Sequence, residues 1–361
     1  MIRLVPISGL AVALALWAMP AAACPVCIDK PEATVADRLL SADAVVMARE
    51  DPDQPFTFAP VAALKGEPGD GPIPLLLDST TRRLLDGRPA DGVVLIRDGN
   101  GWSRVAYADT HMLATVEAIL SEGPEWRNAP ELRFAFFEAL LERDDDVFRH
   151  IAIDELSRAR YGLIRTMARP LDGAAARGAL IDRNRIPWAG FYVLMLGLSD
   201  RAEDHALIRD RIVTAARFGA DRAFDAWATA LIEIDGEAGV GRLVEGWFEA
   251  PGSKADEVRA VIAAFEVHAR EGDPATRAAI LSALRALPAR RPEVGGSVAA
   301  ALGAIGDFSQ ADAIRTAMLD AARMGDVGLP EPELMAASFY VNRARRAGPA
   351  GVDGGPPAIA R

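Results

Sequence analysis

Val298-Ala299-Ala300-Ala301-Leu302-Gly303-Ala304-Ile305-Gly306-Asp307 decides how this 361-residue chain is read. An uncharged run of small and aliphatic residues closed by Gly-Asp predicts a buried helix that stops at a turn. Ala311, Ile314 and Leu319 then return at helical spacing, so Val294 to Leu319 reads as a helix pair. Pro187 to Ile208, with Leu196-Gly197-Leu198-Ser199-Asp200, is a looser copy. Outward from these pairs the same period holds from Asp109 to about Arg345. Apolar residues recur every three or four positions and predict helices near 110–121, 130–142, 145–159, 173–183, 187–198, 203–217, 221–233, 237–248, 255–269, 275–287, 293–304, 309–322 and 331–345. Breaks fall at Asp200, Asp235-Gly236, Pro251-Gly252 and Gly272-Asp273-Pro274. Helices this short, joined by tight turns, suggest stacked pairs rather than one bundle.

The pair Val294 to Leu319 resembles a HEAT repeat. In that motif small residues let the two helices approach closely, and Gly-Asp makes the turn between them. At ~40–47 residues per unit, the helical region holds roughly five. Each unit buries its apolar face only against its neighbours, so the resemblance implies a quasi-linear solenoid.

Upstream the period changes. Glu32 to Asp43 carries Val35, Leu39, Leu40 and Ala42 at helical spacing. Short strands follow at 44–48, 56–64, 73–77, 93–97 and 102–107. Asp51-Pro52-Asp53, the stretch from Lys65 to Pro72 and Asp98-Gly99-Asn100-Gly101 separate them as turns. Asn100-Gly101 between two apolar strands predicts a hairpin whose central residues take positive φ. Five short strands suit a small, partly open barrel.

Half the residues are hydrophobic and a quarter charged, as in a folded soluble protein. A net charge of −11 argues against nucleic acid as the main partner, which needs a basic footprint. Lys30, Lys65 and Lys254 are the only lysines among 40 basic residues. There is no Walker pattern, and candidates for Schiff-base chemistry are few.

The first 23 residues read as an export signal. Arg3 is the positive n-region, Leu4 to Met19 is an apolar run, and Ala21-Ala22-Ala23 suits a signal peptidase. Sixteen residues would rise roughly 24 Å as a helix, short of the ~30 Å hydrocarbon core. Cleavage after Ala23 would leave Cys24 first, which also raises lipid attachment at Cys24. Cys24-Pro25-Val26-Cys27 holds both cysteines of the chain, and export places them where disulfides persist. A bridge closing so short a loop is worth roughly 2 kcal/mol against ~4.7 for a 100-residue loop, so it does not hold the chain folded. Besides the structural disulfide, three readings stay open: a redox pair, a metal chelate through Cys24 and Cys27, and a lipidated Cys24 beside an unpaired Cys27.

The expected mature N-terminus resembles a bacterial secreted family of unknown function. Its marks are Cys24-Pro25-Val26-Cys27, Ala42-Asp43-Ala44-Val45-Val46 and Leu64-Lys65-Gly66, ahead of HEAT-like helices. The β region also resembles the netrin-like OB barrel of tissue inhibitors of metalloproteinases, which start with a cysteine. There the first cysteine chelates a catalytic zinc, a role only Cys24 could carry. The inhibitors have Cys-x-Cys bridged to distant cysteines, whereas this chain has Cys-x-x-Cys and no other cysteine.

Several shorter patterns point to structure. Gly239-Val240-Gly241 lacks the third glycine of a dinucleotide loop, at Val244, and reads as a repeat turn. Gly295-Gly296-Ser297-Val298-Ala299 misses a nucleophile elbow at its last position. Asp144-Asp145-Asp146 reads as a helix N-terminus, and His150 with Asp154 as a surface pair. The dispersed histidines (His111, His150, His205, His268) give no ligand spacing. Trp188, Phe191, Tyr192, Trp227, Trp247 and Phe248 read as core, an exposed subset being the alternative.

The expectation is an α+β multidomain protein. It comprises a signal peptide over 1–23, a five-stranded OB-like (netrin-like) barrel over 24–122, a HEAT-like α-solenoid over 125–345 and a disordered tail over 346–361. The expected role is a non-catalytic, exported interaction or scaffold protein, periplasmic or secreted, with a protein partner and no cofactor. It would meet the membrane only if lipidated at Cys24. The alternative is a thiol-redox or metal protein acting through Cys24 and Cys27, and a third reading is metalloprotease inhibition.

Overall fold

A computed structural model describes residues 33–69, 73–167, 171–323 and 330–347. The signal segment, Cys24, Cys27 and tail residues 348–361 lie outside the described residues. The protein is α+β, with five antiparallel strands curled into a half-barrel and helices making up most of the remainder.

Helix α1 (Val35–Ser41) starts at Thr34, whose side chain accepts from the Asp37 N–H while Asp37 reaches back to the Thr34 N–H. Strands β1 (Ala44–Glu50), β2 (Thr57–Lys65) and β3 (Ile73–Leu76) follow. Helix α2 (Ser79–Asp86) comes next, then β4 (Gly92–Asp98) and β5 (Gly101–Ala108). The sheet order is β3-β2-β1-β4-β5. Successive side chains point to opposite faces of a strand. Val45, Val94 and Ile96 join the core shared with the helices, while Val46, Ala48, Val93 and Leu95 join Phe58, Ile73 and Leu77 on the other face. Burial on both faces explains why Ala44–Ala48 and Val93–Ile96 read as unbroken apolar runs. Register shifts at Val45/Val46, Met47/Ala48, Thr57/Phe58 and Val94/Leu95 bend the strands, and β3 comes against β5.

All five strands lie where the pattern predicts. The hairpin does not match in detail. Asp98 pairs with Gly101, so Gly99 and Asn100 form the loop, and of these turn residues only Gly101 takes a positive φ. Asn100 is held by its N–H donating to Asp98 Oδ1 at 2.8 Å. Helix α2, which the periodicity does not predict, is capped by Asp78 and buries only Thr81 and Leu85.

Helix α3 (Thr110–Trp126) runs through Gly123 and Pro124. A side chain at Gly123 would overlap Leu40, so α3 lies directly on α1. Then come α4 (Pro130–Leu141), α5 (Asp146–Leu156), the short α6 (Tyr161–Ile164), α7 (Gly173–Ile181), α8 (Ala189–Gly197) and α9 (Ala202–Phe218). They continue as α10 (Phe224–Asp235), α11 (Glu237–Leu243), α12 (Ala255–Glu271), α13 (Pro274–Arg290), α14 (Gly295–Ile305), α15 (Ala311–Arg323) and α16 (Glu331–Ala347).

These helices stack in two rows. In one, α8 packs on α10, α10 on α12, α12 on α14 and α14 on α16. In the other, α11 packs on α13 and α13 on α15. The first row is the more apolar, and all of Gly190–Gly197 in α8 is buried. Glycine lets neighbouring rungs of this row approach. A Cβ at Gly197 would sit 2.9 Å from Ala230 Cβ of α10, and one at Gly296 would overlap the Glu333 backbone of α16. The expectation placed this close approach within each helix pair, but the glycines face the next unit instead. Gly306 (φ +84) ends α14 and the Asp307 N–H donates to the Leu302 carbonyl, which is the predicted Gly-Asp turn.

Candidate functional site

Cys24 and Cys27, the predicted disulfide, thiol, lipid or metal residues, lie outside the described residues. Among the described residues no group of three His, Cys, Asp or Glu is placed to hold a metal ion. Asp145 caps α5 by accepting from the Val147 and Phe148 N–H groups, and Asp146 pairs with Arg149 at 2.7 Å. Asp154 accepts from Arg158 and from Trp188 Nε1, and the His150 ring meets the Trp188 edge with centroids 4.7 Å apart. Ser297 is engaged by Glu333 through both its N–H and its hydroxyl. Gly239-Val240-Gly241 sits inside α11 rather than in a turn, where a Cβ at Gly239 would meet the Leu231 carbonyl oxygen at 2.8 Å. Phe191, Tyr192, Trp227, Trp247 and Phe248 are buried and Trp188 is half-buried, so the aromatic set is core. A π-helical turn over Val244–Phe248 brings Trp247 against Phe224 and Phe248 against Phe265.

The polar groups that stand out belong to helix junctions, and the sequence reading passed over them. Arg133 of α4 donates to Glu155 Oε2 of α5 at 2.6 Å, to Asp37 at 2.8 Å and to the Thr34 hydroxyl at 3.2 Å. Burial pushes the Glu155 carboxyl up, against the pull of the Arg133 charge and the nearby Thr34 hydroxyl. Arg177 of α7 pairs with Asp204 of α9, Arg165 forks onto Glu233 of α10, and Arg259 of α12 pairs with Glu333 of α16. Beside Glu233, His268 is 2 % exposed. Its Nε2 donates to the Thr229 carbonyl at 2.8 Å, the only role open opposite an acceptor. Nδ1 then presents a buried lone pair with no hydrogen-bond partner among the described residues. Burial pushes the imidazole down to about 4, against the pull of Thr229 and Glu233. A signal existed for these groups, since Glu155 continues the Phe148–Ile151–Ala152 stripe and Asp204 begins the Ile208–Ile212 stripe. Acids on an apolar helical face are expected to be paired.

Several concave surfaces are open among the described residues. A cleft of about 440 Å³ lies among α3, α4, α5 and α6, lined by Trp126, Phe134, Glu155, Leu163, Arg127 and Arg160. Two shallower grooves flank α13. One, about 530 Å³, lies between α13 and α11 with its π-turn. Val240, Val244, Ala283 and Leu287 line it beside Glu237, Glu245, Glu249 and Arg290. The other, about 560 Å³, lies between α13 and α15 with Pro288, Ala289, Ala313 and Ala317, beside Arg285, Asp320 and Asp312, the last of them paired with Arg315 at 3.0 Å. Arg290 is spent on Glu249 at 2.5 Å, which leaves Glu237 and Glu245 with no ion pair among the described residues. An apolar floor edged by Glu237 and Glu245 suits a polypeptide that carries apolar side chains and positive charge.

No helix among the described residues is long and apolar enough to cross a membrane. No protein-family model, curated protein or solved structure matches the chain.

Proposed function

We propose that the chain is an exported, non-catalytic interaction protein whose helical array presents a binding surface, with an OB-like barrel at its N-terminal end. The observation that carries the proposal is the α11–α13–α15 row, where two apolar grooves flank α13 and the one beside α11 carries Glu237 and Glu245 on its edge. Successive helices of one row, each stacked on the next, support a HEAT-like solenoid. So does the recurrence of Leu-Gly at the same place, Leu196-Gly197 in α8 and Leu302-Gly303 in α14. The helices of the first row begin at 189, 224, 255, 295 and 331, steps of 35, 31, 40 and 36 residues, mostly shorter than ~40–47. The sheet order β3-β2-β1-β4-β5 and the contact of β3 with β5 support the OB-like reading of a small, partly open barrel.

A photo-crosslinking residue at Ser282, on the groove between α11 and α13, tests the proposal in cells. Protein adducts are expected there, are expected to be lost with Glu245→Arg, and should not form from the same residue at Leu84 on α2. Equal labelling at both positions, or none at Ser282, overturns it. Cys24→Ser/Cys27→Ser separates the thiol alternative, because the scaffold reading requires the adducts to survive. Export is tested by intact mass. The chain is expected to begin at Cys24, either two hydrogens light or carrying a diacylglycerol.

A further inference from the structure

We propose that helix α16 is a self-association surface, on which a second copy of this chain docks its own α16 antiparallel across a twofold axis. None of the residues lining the grooves beside α13 belongs to α16, so this surface is separate from the one in the functional proposal. Polar contacts fix which side of α16 faces the array. Glu333 takes Arg259 at 2.9 Å and the Ser297 hydroxyl at 2.7 Å, and Tyr340 donates to the Asp307 carbonyl at 2.9 Å. At about 3.6 residues per turn the opposite side carries Glu331, Met335, Ser338, Asn342 and Arg345, all exposed. Their spacing alternates four and three residues, which is the seam of a coiled coil. On or beside that seam Leu334, Met335 and Phe339 are 41 %, 51 % and 65 % exposed. Helices α8, α10, α12 and α14 are each covered by the next rung of their row, and α16 has no next rung among the described residues.

Charge identifies what covers it. Glu331 lies in the first turn of α16 and Arg345 and Arg346 in the last, and none of the three has an ion-pair partner among the described residues. A parallel pair of these helices sets acid beside acid and arginine beside arginine. An antiparallel pair sets Glu331 opposite the partner's Arg346 at both ends of the contact. The axis then falls between Ser338 and Phe339, which brings the most exposed of the three apolar side chains to the centre. Exposed ion pairs are worth little, so Leu334, Met335 and Phe339 supply the affinity while the charges set direction and register. One helix face buries less than the roughly 1,600 Å² of a standard interface, so the dissociation constant is on the order of tens of micromolar.

Sedimentation velocity of the mature full-length chain, from about 1 µM to about 1 mM, tests the proposal. A monomer–dimer equilibrium is expected, weakened at least about tenfold by Phe339→Glu. Glu331→Arg is expected to weaken it, and Glu331→Arg/Arg346→Glu to restore it. A monomer at every concentration overturns the proposal, and so does a dimer indifferent to Phe339→Glu, which would place the contact elsewhere. Direction is read separately by oxidative crosslinking in the Cys24→Ser/Cys27→Ser chain. Ser338→Cys, beside the axis, is expected to form a disulfide-linked dimer, and Glu331→Cys, far from it, is not. Efficient self-linking through Glu331→Cys, with none through Ser338→Cys, overturns the antiparallel pairing.

Discussion

Gly66 shows how one residue ties helix α1 to the sheet. It closes β2 with φ +61, and a Cβ there would overlap the Asp43 carbonyl oxygen that precedes β1. Beside it, Lys65 Nζ donates to the Leu40 carbonyl at 2.7 Å and covers the C-terminal end of α1. The Leu64-Lys65-Gly66 turn thus joins a cation at a helix C-terminus to a close backbone crossing only glycine permits. Gly66→Ala is expected to cost at least about 3 kcal/mol, among the larger single-residue effects, and a urea titration measures it. A cost under about 1 kcal/mol would mean that the crossing relaxes. His268 supplies a second residue-scale expectation. Its folded value of about 4 lies below the ordinary 6.5, so between those values the unfolded chain holds a proton that the folded one lacks. Stability therefore falls as pH drops through that window, by roughly 3 kcal/mol in all from this group. His268→Gln keeps a donor for the Thr229 carbonyl and removes the titration. Its unfolding free energy should fall less steeply than that of the native chain between pH 6.5 and 4, and parallel curves would refute the assignment.

Between elements, the ionic pairs work as seals. Arg133 alone reaches α1 through Thr34 and Asp37 and α5 through Glu155. Arg133→Met strands a buried carboxylate and is expected to cost about 3 kcal/mol. Arg133→Met/Glu155→Leu removes both charges and is expected to recover part of that loss, so the two substitutions should couple in a double-mutant cycle. Additive costs would mean that the pair is not a unit. This junction also marks where the sequence stopped being legible. The strands and the long helices declared themselves because each repeats its burial every two or every three to four residues. Helix α2 buries only two side chains and starts with Ser-Thr-Thr, so it had no stripe to read. Glu155 did lie on a stripe, beside Ile151 and Ala152, but its partner is 22 residues away in another helix. Periodicity shows which face is buried and cannot name the arginine that meets it. The grooves beside α13 were illegible for the same reason, since their walls come from helices adjacent only after stacking.

At the scale of the molecule, the continuous core decides how the chain comes apart. One apolar cluster runs from Val45, Val94 and Ile96 of the sheet through Ile119 and Phe137 to Val298 and Tyr340. The β region shares that core, so it is expected to open together with α3 to α5. The helical rows behave differently along their length. Helices α10 and α12 each have a neighbour on both sides of the row, whereas α16 packs on α14 and α15 at the end of the described array. Among its apolar residues Leu334, Met335 and Phe339 are exposed, and only Glu333, Ala337 and Tyr340 are buried. A stacked array is stabilised by nearest-neighbour contacts, so a terminal rung holds fewer of them. Native-state hydrogen exchange in low urea is expected to show α15 and α16 opening at a free energy at least about 2 kcal/mol below that of α10 and α12. The Arg259–Glu333 pair, 2.9 Å long, fastens α16 to α12 and sets how early that opening comes. Arg259→Met should lower the opening free energy of α16 while leaving β1 and β4 unaffected. If α16 instead exchanges in step with α10, the array unfolds as one unit and the nearest-neighbour description fails.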